Sequence, residues 1–416
     1  MSPTVAPSAL KDLERACPSG ARPGTEVDTI DGVAPSFLAY PKDTGQVARV
    51  LRIAASYSLP VVVRGAGTKQ DWGTPPERVG LVVDLSQMTG VIEHVSDDLV
   101  VRARAGTPLA SLAATLAGVR QRLPVDEVVA GSTIGGVVAT GISGPLRYGH
   151  GAVRDLLLGL TVVRADGTVA RAGSKVVKNV AGYDLPKLFA GSYGTLGVMT
   201  ELTFKLRPLP DQRFFVSASY PSPADAAPFL AALLRSQAVP AAIEIDRAEP
   251  DAPVQLCALV EGRPRPAEVR ADLLSRLMRD ATVSPEAPPW WGSLPGPVTF
   301  KLTGALSGVP ALVGQAGKCC ASAGLPARLW GSAGTGVLYL GLPSGTSPEQ
   351  LASILDQLRK AASEAQGHGT VLRAPAISKA TLDIWGPVAG LDLMRRVKER
   401  FDPGRLLSPG RFVGGI

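Results

Sequence analysis

The chain has 416 residues, 45% of them hydrophobic, which is enough for two folded domains rather than one. The formal net charge is only +7, the basic residues are scattered and 5% of residues are aromatic, which argues against a nucleic-acid surface. A mild positive bias of this size instead suits an anionic cofactor or substrate.

The first residues and the cysteines bear on the location of the protein. Residues 1–29 are rich in Pro, Ser and Ala without an apolar core of the signal-peptide type, and we expect a flexible N-terminal arm. The four cysteines (Cys17, Cys257, Cys319 and Cys320) have no C-x-x-C spacing, so no metal site is expected and a reducing cytoplasm is favoured. No charge-free run of 18 apolar residues occurs, so membrane association is expected only through partners.

The region from residue 30 to 210 alternates short helices and strands with glycine-rich loops. In chain order the patterns first predict a helix capped by Thr44, a strand Pro60–Arg64, a strand Leu81–Ser86 and a hairpin turning at Asp97-Asp98. A helix capped by Thr107, with Pro108 at its first position, and a glycine-dense segment 130–151 follow. The region ends with a hairpin turning at Asp166-Gly167 and a glycine-dense segment 177–198 followed by a strand.

The sequence pattern changes near Pro210. Residues 211–385 alternate strands such as "VQLCALVEG" with amphipathic helices such as "AEVRADLLSRLMRD", which predicts a smaller α+β domain. Residues 386–416 combine a short basic helix with a Pro/Gly loop, and we expect this segment to return to the first domain.

The stretch "VVVRGAGTK", from Val61 to Lys69, predicts a strand that ends in a glycine-rich turn. A dinucleotide fold of the Rossmann type needs a third glycine where Gln70 stands, followed by a helix, but the next residues contain adjacent prolines. No G-x-x-x-x-G-K-[ST] sequence is present. Successive backbone N–H groups around a left-handed glycine can still hold an anion, although an ordinary strand–strand loop would have the same sequence.

Two further segments have the same character, namely Ser132-Thr133-Ile134-Gly135-Gly136 and Gly191–Val198. Each follows or joins a strand and offers backbone amides beside small side chains. Glycine is used where a ligand must touch the main chain. The three loops together therefore favour an extended ligand with two phosphates and a flat ring.

Over about residues 35–210, and again in the tail, the chain resembles the FAD-binding flavoproteins of the vanillyl-alcohol-oxidase or p-cresol-methylhydroxylase (PCMH) type. The stretches "STIGGVVATGISGPLRYGHGAVRDLLLGLTVV" and "KNVAGYDLPKLFAGSYGTLGV" are similar to the FAD-binding subunit of bacterial glycolate oxidases. The resemblance implies an α+β fold: a two-subdomain PCMH-type FAD-binding domain at 30–210, and a cap domain at 211–385 on the substrate side of the flavin.

The resemblance also implies the residues that hold FAD. The first loop would cradle the pyrophosphate, the second would approach the flavin and the phosphates, the segment from Gly141 to Tyr148 would line the cofactor channel, and the last strand would contact the dinucleotide. Asp155 and Lys178 could contribute, although a capping or surface ion-pair role explains them equally. The implied FAD-binding residues are Arg64, Gly65, Ala66, Gly67, Thr68, Ser132, Thr133, Gly135, Gly136, Gly141, Tyr148, Gly197 and Val198.

Two departures from the family matter. Some members attach FAD covalently through a His in the first loop, but this chain has Gly67-Thr68-Lys69 there, so non-covalent FAD is expected. The family often has Asn-Pro-Gly in the tail where this chain has Ser408-Pro409-Gly410, which leaves that contact open.

The catalytic residues are not identified by the sequence. The chain has three histidines, and no His-rich signature of the kind many 2-hydroxy-acid dehydrogenases carry. His94 has the pattern of a structural residue and His368 that of a solvent loop. His150, in "RYGHG", is a weak catalytic candidate, and Arg147 and Arg373 are weak candidates for binding a substrate carboxylate.

The resemblance implies a subunit of a glycolate oxidase complex that oxidises glycolate, or a related 2-hydroxy acid, to the oxo acid. Its partners would be a second FAD-containing catalytic subunit and an iron–sulfur subunit, and its own flavin would oxidise the substrate or relay electrons. Two alternatives stay open: a self-sufficient FAD-linked dehydrogenase of another small hydroxy acid or alcohol, and a non-catalytic scaffold subunit.

Overall fold

The computed structural model describes residues 7–174 and 184–416. The part up to residue 208 contains three small sheets and short helices. Its elements are α1 (Pro7–Ala16), β1 (Ala21–Pro23), β2 (Phe37–Ala39), α2 (Thr44–Ser56), β3 (Val61–Arg64), β4 (Leu81–Asp84), β5 (Val91–Val95), β6 (Val100–Arg104), α3 (Leu109–Ala117), β7 (Gln121–Arg122), α4 (Ile134–Thr140), α5 (Arg147–His150), α6 (Val153–Leu156), β8 (Leu157–Val163), β9 (Val169–Gly173), α7 (Leu185–Phe189), β10 (Val198–Lys205) and β11 (Arg207–Pro208).

The remainder of the chain is built around one large sheet with helices on one side. Its elements are β12 (Gln212–Tyr220), α8 (Pro223–Leu234), β13 (Ala242–Arg247), β14 (Val254–Gly262), α9 (Pro264–Met278), β15 (Thr282–Ser284), β16 (Val298–Thr303), α10 (Val309–Ser322), β17 (Arg328–Ser332), β18 (Val337–Leu342), α11 (Pro348–Glu364), β19 (Gly369–Arg373), α12 (Ala376–Lys379) and α13 (Leu391–Phe401).

The sheets of the first part differ in strand direction. A four-stranded sheet has the order β1-β2-β4-β3, in which β2 and β3 both pair with β4 in parallel. A five-stranded antiparallel sheet has the order β5-β6-β10-β8-β9. One hydrophobic core contains apolar residues from both sheets and from α2, α3 and α4. It forms where the helices cover the buried faces of the strands.

The large sheet has the order β15-β12-β14-β13-β17-β18-β16-β19 and is antiparallel throughout. Side chains alternate between its two faces. In β18, Leu338 and Leu340 pack against the helices of the second part, whereas Val337 and Tyr339 belong to the core of the first part. The large sheet is therefore covered on both faces, by its own helices and by the first part of the chain.

The structure differs from the flexible arm expected at residues 1–29. Residues 7–16 form α1, whose Ala9 and Leu13 are fully buried, and β1 pairs with β2. Pro and Ser near the chain start suggested an arm, but the apolar side of α1 is stabilised by packing on α2, which no local signal reveals.

Turn predictions were more accurate than cap predictions. The hairpins at Asp97-Asp98 and Asp166-Gly167 are confirmed by the pairing of β5 with β6 and of β8 with β9. The N-cap of α2 is Asp43, which accepts a hydrogen bond from the Gln46 N–H at 2.8 Å, so Thr44 as the cap is wrong. Thr107 as the cap of α3 is also wrong: the cap position is Pro108, and the Thr107 hydroxyl donates to the Arg104 carbonyl.

Candidate FAD site

The first glycine loop begins where β3 ends. The guanidinium of Arg64 is paired with Asp84 at 2.7 Å and lies 3.7 Å from Asp28, so the side chain holds the loop in place. A Cβ atom on Gly65 would lie 2.4 Å from Thr133 Oγ1, and Gly67 has a φ of +76°. Glycine is required at both positions, because one is in close contact with the second loop and the other has a left-handed backbone.

The second loop starts α4. Thr133 caps this helix by accepting a hydrogen bond from the Gly136 N–H at 3.2 Å. A Cβ on Gly135 would lie 2.7 Å from the Ala105 carbonyl oxygen, so the loop packs tightly on the strand end of β6. Gly141, with a φ of +64°, ends the helix beside Gly191 of the third segment.

The glycine-dense segment 177–198 is described only from residue 184 onward, so Lys178 lies outside the described residues. Of the rest, Gly197 packs against β8, where a Cβ would lie 2.5 Å from Val162. Val198 is fully buried at the start of β10. The carboxylate of Asp155 accepts from the Ala152 N–H at 3.0 Å, which is the capping alternative for this residue.

The three loops meet at one open cleft. Eight of the predicted FAD-binding residues line it: Gly65, Ala66, Gly67, Thr68, Thr133, Gly135, Gly136 and Gly197. Five do not line it: Arg64, Ser132, Gly141, Tyr148 and Val198. Arg64 and Ser132 support the lining from behind, whereas the ring of Tyr148 packs against Gly334 of the large sheet.

The cleft also contains a cation that the sequence analysis did not single out. Lys69 is 8% exposed, and its Nζ donates to Thr68 Oγ1 at 3.0 Å and to Ser132 Oγ at 2.5 Å. Burial lowers the pKa of Lys69 to about 8, and the charge of Glu127 partly opposes this shift. Within residues 7–174 and 184–416 no carboxylate forms a salt bridge with this ammonium group, so the cleft has a positive charge available for an anion.

The C-terminal tail supplies a second cation. Arg411 lines the cleft and donates to Gln70 Oε1 at 3.0 Å and to the Trp72 carbonyl at 2.9 Å. Tyr193, also a lining residue, stacks on Phe412 of the tail with ring centroids 5.6 Å apart. More than 300 residues separate Arg411 from the first loop, so no local pattern could have identified it.

The weak catalytic candidates lie apart from the residues that line the cleft. His150 Nε2 is 3.2 Å from Arg122 Nη2 and 3.6 Å from Glu261 Oε2, so it belongs to an ion cluster against the large sheet. Arg373 is paired with Asp71. Arg147, at the start of α5, has no side-chain hydrogen bond or ion pair within the described residues.

The other two histidines have structural contacts. His94 Nε2 lies 2.9 Å from Gln121 Oε1 within the first part of the chain. His368 is half-buried, and its Nε2 lies 2.6 Å from the Trp385 carbonyl, so the expected solvent loop is wrong. The Gly-His-Gly context suggested exposure, but the loop is fixed by backbone bonding with Thr303.

The residues present fit FAD. The loops keep side-chain atoms out of the cleft at the glycine positions, and Lys69 and Arg411 supply positive charge. No His or Cys stands among the residues that line the cleft in the described part of the chain. A family model described as "FAD binding domain" matches residues 35–173, and one described as "FAD linked oxidases, C-terminal domain" matches residues 306–412. The chain therefore contains an FAD-binding domain and a C-terminal domain of the FAD-linked oxidases, and its cofactor is FAD.

Within that class the chain is similar to glycolate oxidase subunits. It is 41% identical over 159 residues to "Glycolate oxidase subunit GlcE" of Escherichia coli, covering 38% of this chain and 45% of that protein. It is 33% identical over 211 residues to "Glycolate oxidase subunit GlcD" of Bacillus subtilis, covering 50% of this chain and 45% of that protein. The matches thus span less than half the length of either relative.

The fold is that of a solved p-cresol methylhydroxylase with substrate bound. The two structures superpose with a TM-score of 0.74 and 15% identity, covering 97% of this chain and 96% of the other. The predicted PCMH-type α+β fold is confirmed. In the described part of the chain, no helix is both long enough and apolar enough to cross a membrane.

Proposed function

We propose that this protein is an FAD-dependent oxidoreductase that acts on the CH–OH group of a small 2-hydroxy acid such as glycolate, and that it works as a subunit of a complex. The observation that carries the proposal is the single cleft at which the three glycine-rich loops meet, with Lys69 and Arg411 in its lining. Bound FAD supplies the acceptor for the hydride of the alcohol carbon. The similarity to two glycolate oxidase subunits supports the choice of substrate class.

The chain's own residues would hold the cofactor without a covalent bond. Backbone amides from Gly65 to Thr68 and the start of α4 would bind the pyrophosphate, with Lys69 as counter-charge. The loops stay in position because Arg64 is paired with Asp84 and because Thr133 caps α4.

Electrons would leave the chain through partner proteins, namely a second FAD-containing subunit and an iron–sulfur subunit. The four cysteines are buried thiols, and burial raises the pKa of Cys257 and of Cys320 to about 12. Buried protonated thiols without C-x-x-C spacing are poor cluster ligands, so we assign the one-electron carriers to other chains.

The test begins with the purified chain. Its visible spectrum is recorded after desalting, and the protein is then precipitated and the supernatant examined for FAD. We expect a flavin spectrum with all of the chromophore released. Anaerobic addition of glycolate should then bleach the flavin, either in the chain alone or only after partner subunits are added.

The outcomes separate the alternatives. If the isolated chain reduces a dye with a hydroxy acid as fast as the assembled complex does, a self-sufficient dehydrogenase is favoured. A colourless protein that does not take up added FAD would overturn the proposal and favour a scaffold subunit. If hydroxy acids do not reduce the flavin even in the assembled complex, the proposed substrate class is wrong.

A further inference from the structure

The face of the large sheet that covers the first part of the chain contains a group of polar side chains with no established role. Strand register places Lys301 of β16 directly opposite Tyr339 of β18, and Tyr339 opposite Trp330 of β17. The rings of Tyr339 and Trp330 stack with centroids 5.3 Å apart. Lys301 and this aromatic pair therefore form one row across the sheet.

Helix α5 lies against the same face and brings Arg147 to it. The Gly149 N–H donates to the Ala241 carbonyl at 3.0 Å, and a Cβ on Gly334 would lie 2.5 Å from the ring of Tyr148. The start of α5 is fixed by Asp126, whose carboxylate accepts from the Leu146 N–H at 2.8 Å. Arg147 adjoins Tyr148, whose ring lies on Gly334 in the turn between β17 and β18, so Arg147 lies beside the row that contains Lys301 and Tyr339. Its charge acts on both of these groups.

Two neighbouring cations without anions are unusual in a half-buried location. Neither the Arg147 nor the Lys301 side chain has an ion pair or hydrogen bond to any described residue. The residues outside the described ranges, 1–6 and 175–183, contain no Asp or Glu. Burial, and then the charge of Arg147, lower the pKa of Lys301 to about 8, as expected for a cation that lacks its counter-ion.

Two carboxyl groups of β13 lie on this face, and neither forms an ion pair with Arg147 or Lys301. Asp246 stands in register with Trp330 and is paired with Arg328 at 2.9 Å. Glu244 pairs in register with Ser332, is fully buried, and neither carboxylate oxygen has a hydrogen-bond partner in the described chain. Burial raises the pKa of Glu244 well above its usual value, which favours the neutral form of this carboxyl group. The group of side chains thus keeps a net positive charge.

We propose that Arg147 and Lys301 form the binding site for the carboxylate of the substrate, a small organic anion held between α5 and the large sheet. This inference rests on the proposed function and deepens it by naming the substrate-binding residues. Tyr339 connects the site to the cofactor cleft, because it belongs to the apolar core against which Tyr193, a lining residue of the cleft, is packed. An acid held there belongs to this chain, so this chain's own flavin would be the one that oxidises it.

The test measures anion binding separately from catalysis. The probe is oxalate, a dicarboxylate that has no hydrogen to transfer, titrated into the FAD-loaded protein by calorimetry and by the change in the flavin spectrum. We expect Arg147→Met and Lys301→Met each to weaken oxalate binding about tenfold or more, as expected for loss of a charge-assisted hydrogen bond. Lys301→Arg, which keeps the charge, should retain most of the affinity. FAD content and melting temperature report whether each variant is folded.

The controls are Arg276→Met and Lys318→Met, because both residues are exposed on helices on the opposite side of the sheet. In turnover with glycolate, the two site variants should raise KM by at least the same factor with a smaller change in kcat, whereas a purely structural defect would lower FAD content and kcat.

The proposal is overturned if the wild-type protein does not bind oxalate, or if both Met variants bind it as tightly as the wild type. If oxalate binding depends on Arg147 and Lys301 but no hydroxy acid reduces the flavin, only the proposed function is rejected. The anion site would then stand, with another class of carboxylate as its ligand.

Discussion

Lys69 is the residue whose environment most clearly requires an anion. Its ammonium group is buried in the cleft beside two hydroxyl groups, and burial lowers its pKa to about 8 in the free protein. Phosphate oxygens would favour the charged form, so FAD binding should raise this pKa and take up a proton above about pH 8. Lys69→Met should weaken FAD binding about tenfold to a hundredfold at pH 7.

The measurement is the quenching of FAD fluorescence by the apoprotein as a function of pH. Wild-type affinity should fall as the pH rises above 8, and the affinity of Lys69→Met should not. Lys42→Met, an exposed lysine in the same part of the chain, is the control and should match the wild type. Equal affinity and equal pH dependence in Lys69→Met would contradict this role for the ammonium group.

Glu244 shows the opposite situation, a carboxyl group whose neutral form is favoured by burial. Its folded-state pKa is raised, so the folded protein retains a proton that the unfolded chain loses near its ordinary value of 4.5. The stability that this group contributes is present below pH 4.5 and is lost as the pH rises through the folded-state pKa. Glu244→Gln cannot ionise, so it should be more stable than the wild type at neutral and alkaline pH, by about 1–3 kcal/mol.

Thermal unfolding of both proteins from pH 4 to pH 9 checks this. The difference in melting temperature should grow in favour of Glu244→Gln with increasing pH and should be smallest at pH 4. A constant difference across this range would mean that Glu244 does not titrate as its burial implies.

At the scale of single elements, α13 fixes the tail. The Nζ of Lys398 donates to Asp402 Oδ2 at 2.7 Å, to the Thr195 carbonyl at 2.8 Å and to the Leu407 carbonyl at 2.8 Å. These bonds join the helix, the tail that follows it and the loop before β10. Arg411, which lines the cleft, is only four residues beyond Leu407.

Lys398→Met should destabilise the protein by about 3–5 kcal/mol, because Asp402 would remain as a buried charge without its partner. It should also weaken retention of FAD during desalting, since Arg411 would be less well positioned. The matched control is Arg395→Met on the same helix, whose ion pair with Asp392 is exposed and should be worth less than about 1 kcal/mol. A melting temperature equal to that of the control would contradict this role.

At the scale of the whole molecule, the sequence predicted those features that depend on local chemistry. Turn residues such as Asp166-Gly167 determine a hairpin by their own backbone preferences. Residues of the glycine-rich loops line the cleft, as the sequence predicted. Features that depend on distant packing were not predicted. The burial of α1 needs α2, and the approach of Arg147 to Lys301 needs a sheet strand far along the chain. Arg411 reaches the first loop from the far end of the chain. The domain boundaries and the individual FAD contacts stay predictions.

The two parts of the molecule are joined by an ion cluster around Glu261 of β14. Arg122 makes two hydrogen bonds to the Glu261 carboxylate, Arg213 lies 3.1 Å from it and His150 of α5 lies 3.6 Å from it. Burial opposes ionisation of Glu261, but the nearby His150, the hydrogen bonds from Arg122 and the two arginine charges outweigh it and lower the pKa to about 2. The stability from this cluster is therefore present above pH 4.5 and is lost as the pH falls toward 2.

Glu261→Gln should accordingly destabilise the protein at pH 7 by about 3–5 kcal/mol, since Arg122 would remain buried without its partner. The difference between wild type and variant should shrink as the pH is lowered from 5 toward 2, where the wild-type carboxylate takes up its proton. Calorimetric unfolding over this range is the measurement. Asp211→Asn is the control, because the Arg120–Asp211 pair is exposed and should contribute less than about 1 kcal/mol at any pH. If Glu261→Gln behaved like this control, the attachment of the large sheet to the FAD-binding part would not depend on this cluster, and acid would not loosen it through Glu261.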